Sequence, residues 1–382
     1  MWKIPLFKIF WDKEDVSAVT RIIKRGMYWT CGPETVEFEK KIAEYIGTKH
    51  AVVFNSGTTA LHAAIVAHKI KAGDEVLVPS FTFIATANTV LLAGAKPIFA
   101  DIEPKTYGLD PLDVKEKITK RTRAIIPVHY GGSPCLVKEL KQLAEDNNLL
   151  LIEDAAESIG ARVDNRKVGS FGDSAMLSFC QNKVITTGDG GAVVTDSEEI
   201  HERLKLIRSH GRLEKSDYFT TREAMDYITL GTNYRMSDIT AALGLSQLAK
   251  IEKIIKMRRS KAQYMNKKIE GIEQLAPPKP FSDRYFHVYQ MYTIRVLDGE
   301  KTRDSLAKHL AKRGIMTKVY FSPVHLTHFY QKELKYNCKL PVTEEISEQV
   351  LTLPLYPSIT TEEMDFTTST IKEFFSEGMK NE

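Results

Sequence analysis

Between Ala51 and Ile152 the chain alternates short, uninterrupted apolar runs with stretches of helical periodicity, and no other feature limits its fold as much. Ala51 to Phe54, Glu75 to Val78, Lys96 to Ala100, Ala124 to Val128 and Leu149 to Ile152 read as strands. Thr58 to Ile70, Phe83 to Leu92, Pro111 to Ile118 and Leu136 to Asn147 read as the helices between them. A strand that is apolar on both faces must be covered on both. A parallel neighbour also needs a crossover long enough to hold a helix. The pattern therefore predicts an α/β fold with a doubly wound, mostly parallel central sheet flanked by helices. Ahead of it, residues 14–25 and 34–46 read as amphipathic helices joined by a turn at Gly32-Pro33.

Beyond residue 160 the pattern changes. Asp164 to Lys167 reads as a tight turn, and Ala175 to Phe179 and Ala192 to Thr195 as strands around a polar, glycine-rich stretch. Residues 237–270 form one long helical pattern whose basic face (Lys250, Lys253, Lys256, Arg258, Arg259, Lys261) reads as solvated, with lysine stems over apolar neighbours. Pro277-Pro278 marks a boundary, and residues 287–375 read as strand, helix, strand and two further helices. At 382 residues the chain exceeds the size at which one core keeps growing. Two domains are expected: a large α/β domain over residues 1–250, and a smaller C-terminal α+β domain over 251–382 that begins within the long helix.

Charge and cysteine usage narrow the function classes. Lys+Arg 53 against Asp+Glu 49 gives a formal charge of +4, spread along the chain, which does not point to a nucleic-acid binder. The four cysteines, at 31, 135, 180 and 338, form no CxxC, and no histidine is placed to complete a zinc quartet, so neither a metal site nor a disulfide framework is expected. No apolar run approaches membrane-spanning length, and the first residues lack the build of a signal peptide. The expectation is a cytoplasmic protein without a membrane partner.

Four local features carry chemistry. Asn55-Ser56-Gly57-Thr58 follows a strand and opens a helix, where free N–H groups and hydroxyls suit a phosphate; it is also what an ordinary helix cap looks like. Glu153-Asp154 ends a buried strand, at the edge of the sheet where ligands bind in open α/β folds, and a carboxylate there calls for a cationic partner. Lys183 lies between the apolar strand ending near Ser178 and the glycines at 188, 190 and 191. A lysine in an enclosed site can serve as a Schiff-base nucleophile. Gly231-Thr232-Asn233-Tyr234-Arg235 precedes the long helix and by itself reads as a loop and cap. No GxGxxG, Walker A, HExxH, EF-hand or GxSxG pattern competes with these.

The order of the features is more specific than any one of them. Ser56-Gly57-Thr58, Pro79 to Phe83, Glu153 to Ala156, Gly169 to Asp173, Ser178 to Gly191, Gly231 to Arg235 and Pro354 to Pro357 together resemble the DegT-type nucleotide-sugar aminotransferases. These are pyridoxal 5'-phosphate enzymes with the aspartate-aminotransferase-like fold. The resemblance runs from about Ile4 to Phe375. It implies that Lys183 forms the Schiff base with the cofactor aldehyde and later moves the proton. It implies that Asp154 pairs with the pyridinium nitrogen and that Phe83 lies against the ring. Ser56, Gly57, Thr58 and Ser178 would hold the phosphate, with Asn233 reaching in from the other subunit of an obligate homodimer.

Two departures from the family pattern stand out. Glu157 occupies a position where many relatives carry Gln near the ring oxygen, so the carboxyl is expected to be protonated or turned away. Gln181 replaces a common Pro two residues before the lysine. The lysine itself is kept, which disfavours the related sugar 3-dehydratases that carry His there.

His287-Val288-Tyr289, Val319 to His325 and Leu353 to Pro357 look most like the perosamine-synthase-type enzymes, which aminate C4 of a nucleotide-linked 4-keto-6-deoxyhexose with L-glutamate as donor. Tyr320 and His325 are the candidate sugar contacts and Arg235 the candidate diphosphate contact. Amination at C3, and a non-catalytic sugar-binding or regulatory relative of the same fold, remain alternatives.

Overall fold

The computed structural model describes residues 2–213 and 225–378. Two helices come first, α1 (Lys13–Arg25) and α2 (Pro33–Ile46). Then follow β1 (His50–Phe54), α3 (Gly57–Ala67), β2 (Glu75–Pro79), α4 (Ala85–Leu92), β3 (Lys96–Ala100), α5 (Pro111–Lys117), β4 (Thr122–Ile125), α6 (Val137–Asp146) and β5 (Leu150–Asp154). A short hairpin of β6 (Arg162–Val163) and β7 (Arg166–Lys167) leads to β8 (Ser174–Ser178), β9 (Gly191–Thr195) and α7 (Glu198–Arg208). Its turn residues Asp164 and Asn165 have φ of 48° and 64°, a left-handed pair that Asp and Asn tolerate and that matches the twist of a two-residue hairpin.

The central sheet has seven strands in the order β1-β9-β8-β5-β4-β2-β3. β5·β8, β4·β5, β2·β4 and β2·β3 pair parallel, and β9 alone runs against its neighbours β1 and β8. The strands alternate as a doubly covered sheet requires. Val52, Phe54, Val76, Val78, Ile152 and Met176 pack on one face with α3 and α4, while Ala51, Val53, Ala175, Leu177 and Val194 enter the core on the other. The C-terminal ends of β1, β2, β5 and β8 therefore open on the same edge, where a ligand site belongs in such a sheet.

Residues 237–270, expected as one helix, are two: α8 (Asp238–Ala249) and α9 (Ile251–Ile269). Lys250 sits at the break with φ −112° and ψ 9°, and its ammonium pairs with Asp12, the N-cap of α1, at 2.6 Å and with Asp15 in its first turn at 2.8 Å. A tertiary ion pair at the junction, with no Pro or Gly in the sequence, accounts for the missed boundary. The basic face is also not simply solvated. Arg258 is buried and donates to the carbonyls of Tyr289, Gln290 and Leu355, and burial lowers its pKa to about 10. The Arg259 guanidinium lies 3.9 Å from the Phe286 ring centre.

Beyond α9 come β10 (Leu275–Ala276), β11 (Tyr285–Phe286), β12 (Tyr292–Val296), α10 (Glu300–Lys312), α11 (Pro341–Gln349), β13 (Val350–Leu353) and α12 (Thr361–Gly378). One of the two helices expected after the last strand thus precedes it. β10, β12 and β13 form a small antiparallel sheet. Tyr292, Ile294, Leu351 and Leu353 build a core there with Ala262 and Met265 of α9 and Leu306 and Leu310 of α10. Ile4 belongs to this core and bridges to Ile315, so the start of the chain packs with its last third. α9 joins the two cores: Ile251, Ile254 and Ile255 pack against the large sheet's side, Ala262, Met265 and Ile269 against the small one. No helix among the described residues is long and apolar enough to cross a membrane.

Candidate active site

A cavity of about 370 Å³ opens at the C-terminal edge of the large sheet. Ser56, Gly57, Thr58, Phe83, Asp154, Glu157, Ser178, Lys183 and Tyr320 all line it, so residues scattered over the sequence converge on one wall.

The end of β5 supplies the buried acid. Glu153 and Asp154 are consecutive in a strand and therefore point to opposite sides. Glu153 turns away from the cavity. Its Oε1 accepts from the N–H groups of Phe171 and Gly172 and its Oε2 from Gly169, each at 2.7 Å. The Cys135 N–H donates to Nδ1 of His129, so the proton of that ring sits on Nε2, which donates to Glu153 at 3.0 Å. Burial opposes the charge of Glu153, but these bonds outweigh it and hold the carboxyl below the ordinary range. Of the acidic pair, then, one member is structural.

Asp154 faces the cavity and is buried. Oδ2 accepts from the Thr86 hydroxyl at 2.8 Å and Oδ1 from the Ala156 N–H at 3.1 Å. Burial pushes its pKa up, and these two bonds only partly oppose that. A cation placed against it would favour the charged form. Thr82 and Thr86, one helical turn apart, join hydroxyls at 2.9 Å and extend the chain of bonds.

Ser56 caps α3 by accepting from the Thr59 N–H at 3.1 Å, which leaves the N–H groups at Gly57 and Thr58 directed at the cavity. Glycine is needed on both sides of this turn. A Cβ on Gly57 would lie 3.0 Å from Cβ and Oγ of Ser178, and one on Gly191 would lie 2.5 Å from the Ser56 carbonyl oxygen. The result is an N–H and hydroxyl cradle at the positive end of an eleven-residue helix, a ready anion site.

Lys183 lies in the loop between β8 and β9, where its N–H donates to the Cys180 carbonyl at 3.0 Å. Its ammonium nitrogen reaches Oε1 of Glu157 at 3.3 Å, while Oε2 of Glu157 accepts from the Gly131 N–H at 2.9 Å. This carboxyl, expected to be protonated or turned away beside the cofactor, is here paired with the lysine and anchored to backbone. Phe83 is more than half exposed at the mouth, with its ring 6.3 Å from that of Phe321. Tyr320 lies beneath Lys318, whose ammonium is 4.8 Å from the ring centre.

Three expected contacts are not in the cavity wall. His325 is buried elsewhere: Nδ1 meets the Ser80 hydroxyl at 2.6 Å, Nε2 faces Glu344 at 3.3 Å, and burial lowers its pKa. It ties the end of β2 to α11, a packing role that a His after Pro-Val does not reveal in sequence. Asn233 is exposed and bridges to Ser209, and Arg235 is likewise outside the lining. Thr86, Gly131, Asn182, Lys318 and Phe321 were not anticipated. Only the Thr82-x-x-x-Thr86 spacing at a helix start carried a readable signal.

The comparisons with known proteins agree with this geometry. Residues 10–372 match the model of the DegT/DnrJ/EryC1/StrS aminotransferase family. GDP-perosamine synthase of Escherichia coli O157:H7 is 37% identical over 98% of this chain and 99% of its own length. Among solved structures, S. venezuelae DesV superposes with a TM-score of 0.89 at 34% identity, covering 98% of this chain and 99% of that one. The PLP-form of the putative sugar aminotransferase Spr1654 from Streptococcus pneumoniae superposes with a TM-score of 0.91 at 26% identity, covering 99% and 98%. The chain belongs to the DegT/DnrJ/EryC1/StrS aminotransferase family and is a transaminase.

Proposed function

We propose that this enzyme uses pyridoxal 5'-phosphate to move the amino group of L-glutamate to C4 of a nucleotide-linked 4-keto-6-deoxyhexose, and that it works as a homodimer with shared sites. The observation that carries the reading is the convergence of Lys183, Asp154 and the α3 cradle on one cavity of about 370 Å³. The donor set fits the cofactor: N–H groups and hydroxyls at Gly57, Thr58 and Ser178 for a phosphate, a buried carboxyl at Asp154 for a protonated ring nitrogen, and the Lys183 amine on the same cavity.

When bound, the cofactor supplies an aldehyde for the lysine amine and a cationic ring that accepts electrons from the bond broken at the amino-bearing carbon. This chain's residues do the rest. Asp154, held by Thr86 and Ala156, keeps a proton on the ring nitrogen. Lys183 carries protons to and from the reacting carbon, and Glu157 lies in hydrogen-bond reach of its nitrogen. The similarity to GDP-perosamine synthases over nearly the full chain supports amination at C4. Purified enzyme loaded with glutamate should aminate a GDP- or dTDP-linked 4-keto-6-deoxyhexose. Turnover of 3-keto isomers only would overturn the C4 assignment.

A further inference from the structure

Away from the active-site cavity, the fold brings together two histidines and a glutamate that the sequence keeps far apart. His50 opens β1, the edge strand of the large sheet, and Glu198 and His201 are an i, i+3 pair on the first turn of α7. One donor atom from each of the three lies within 4.8 Å of the others. Nε2 of His50 is 3.1 Å from Oε2 of Glu198, and Nδ1 of His201 is 3.7 Å from Oε1 of the same carboxylate. The two imidazoles stack with centroids 4.5 Å apart and planes 11° apart.

An ordinary ion pair explains only half of this arrangement. It accounts for His50, but Nδ1 of His201 is shut off from solvent and makes no hydrogen bond. Its two nearest carboxylate oxygens, on Glu198 and Glu202, stand at 3.7 Å and 3.6 Å, beyond hydrogen-bond range. Those spacings suit a shared cation instead. A tetrahedral zinc with bonds of about 2.0–2.2 Å holds its ligand atoms roughly 3.4 Å apart. The Glu198 contacts of 3.1 Å and 3.7 Å, one to each carboxylate oxygen, lie close to that value, and a turn of one of the two stacked rings would aim both nitrogens at a shared ion.

The surroundings support this. The Lys49 N–H donates to Asp196 at 2.8 Å and the Ser197 hydroxyl caps α7, so the two backbone segments that carry the ligands are already tied together. Glu202 is the weaker fourth candidate, since the same oxygen accepts from Lys205 at 2.8 Å.

We propose that His50, His201 and Glu198 form a binding site for a transition-metal dication of the zinc class, with a solvent-filled fourth position, that clamps α7 to the edge strand β1. The sequence alone points to no metal here, because His50 is far in the chain from Glu198 and His201 and the three meet only in the fold. The test is equilibrium competition of Zn²⁺ between untagged protein and a chromophoric chelator, with a thermal melt alongside. The expected result is one zinc per chain and a rise in Tm on adding Zn²⁺. His50→Gln and His201→Gln should each weaken binding by roughly 10–100-fold or more, the range that even an outer-sphere partner of a metal is worth. Neither substitution should alter transaminase activity measured without zinc, since neither residue lies at the cavity; that activity also reports that the variants fold. Absence of saturable zinc binding overturns the proposal. So does zinc retained equally by both variants, which would place it elsewhere, for example on the exposed Cys31.

Discussion

At Lys183 the chain sets an ammonium nitrogen 3.3 Å from a glutamate where many relatives carry an amide, and the consequences can be measured. Glu157→Gln keeps an oxygen for the Gly131 N–H but removes the negative charge. An anion at this distance interacts directly with the lysine nitrogen, so the absorbance of the lysine-bound cofactor should differ between Glu157→Gln and wild type at matched pH. Identical spectra would mean that Glu157 is not paired with the lysine in the loaded enzyme. Lys183→Ala should abolish turnover in a folded protein. Asp154→Asn should fold and bind cofactor, yet lose on the order of 10²–10³-fold in kcat, comparable to removing one preorganised electrostatic contact. Lys183 and Asp154 were readable because their neighbours form ordered motifs. Lys318 and Phe321 were not, because each reaches the cavity from a connecting segment whose orientation only tertiary packing decides. His325 lies outside the cavity lining for the same reason: a histidine's identity does not tell which way the ring turns.

Secondary structure was legible wherever hydrophobic period and turn chemistry agreed, as in the strands and helices from β1 to β5. It was obscured where a long-range contact decided the outcome, as at Lys250, whose pairing with Asp12 and Asp15 divides α8 from α9. The end of β5 shows what such contacts are worth. Glu153→Gln puts an amide NH₂ where backbone N–H groups now donate, which leaves buried donors unpaired at about 1–3 kcal/mol each. Because the folded-state pKa of Glu153 is lowered, its contribution is present above the unfolded value near ~4.3 and is lost as pH falls through the folded value. The difference in urea midpoint between wild type and Glu153→Gln should therefore be large at neutral pH and shrink in acid. A difference that stays constant with pH would contradict the assignment of Glu153 as a buried, ionised acceptor.

Over the whole molecule, the cavity wall lacks Asn233 and Arg235, although both stand in a motif of the family the chain belongs to. The proposed homodimer with shared sites would account for that, and subunit mixing tests it. In an isologous dimer, a Lys183→Ala subunit paired with an Asn233→Ala subunit has one doubly defective site and one intact site. An equal mixture allowed to exchange should regain about a quarter of wild-type activity. No regain, with exchange verified, would mean that each chain completes its own site.

The most direct measurement of the central claim is a single-turnover absorbance experiment with the purified enzyme, pyridoxal 5'-phosphate and L-glutamate. The near-visible band of the lysine-bound cofactor should be lost as the pyridoxamine form appears, a 4-keto-6-deoxyhexose nucleotide should restore it, and Lys183→Ala should never show the starting band. A starting band that forms but stays unmoved by any amino donor would contradict transamination at this site.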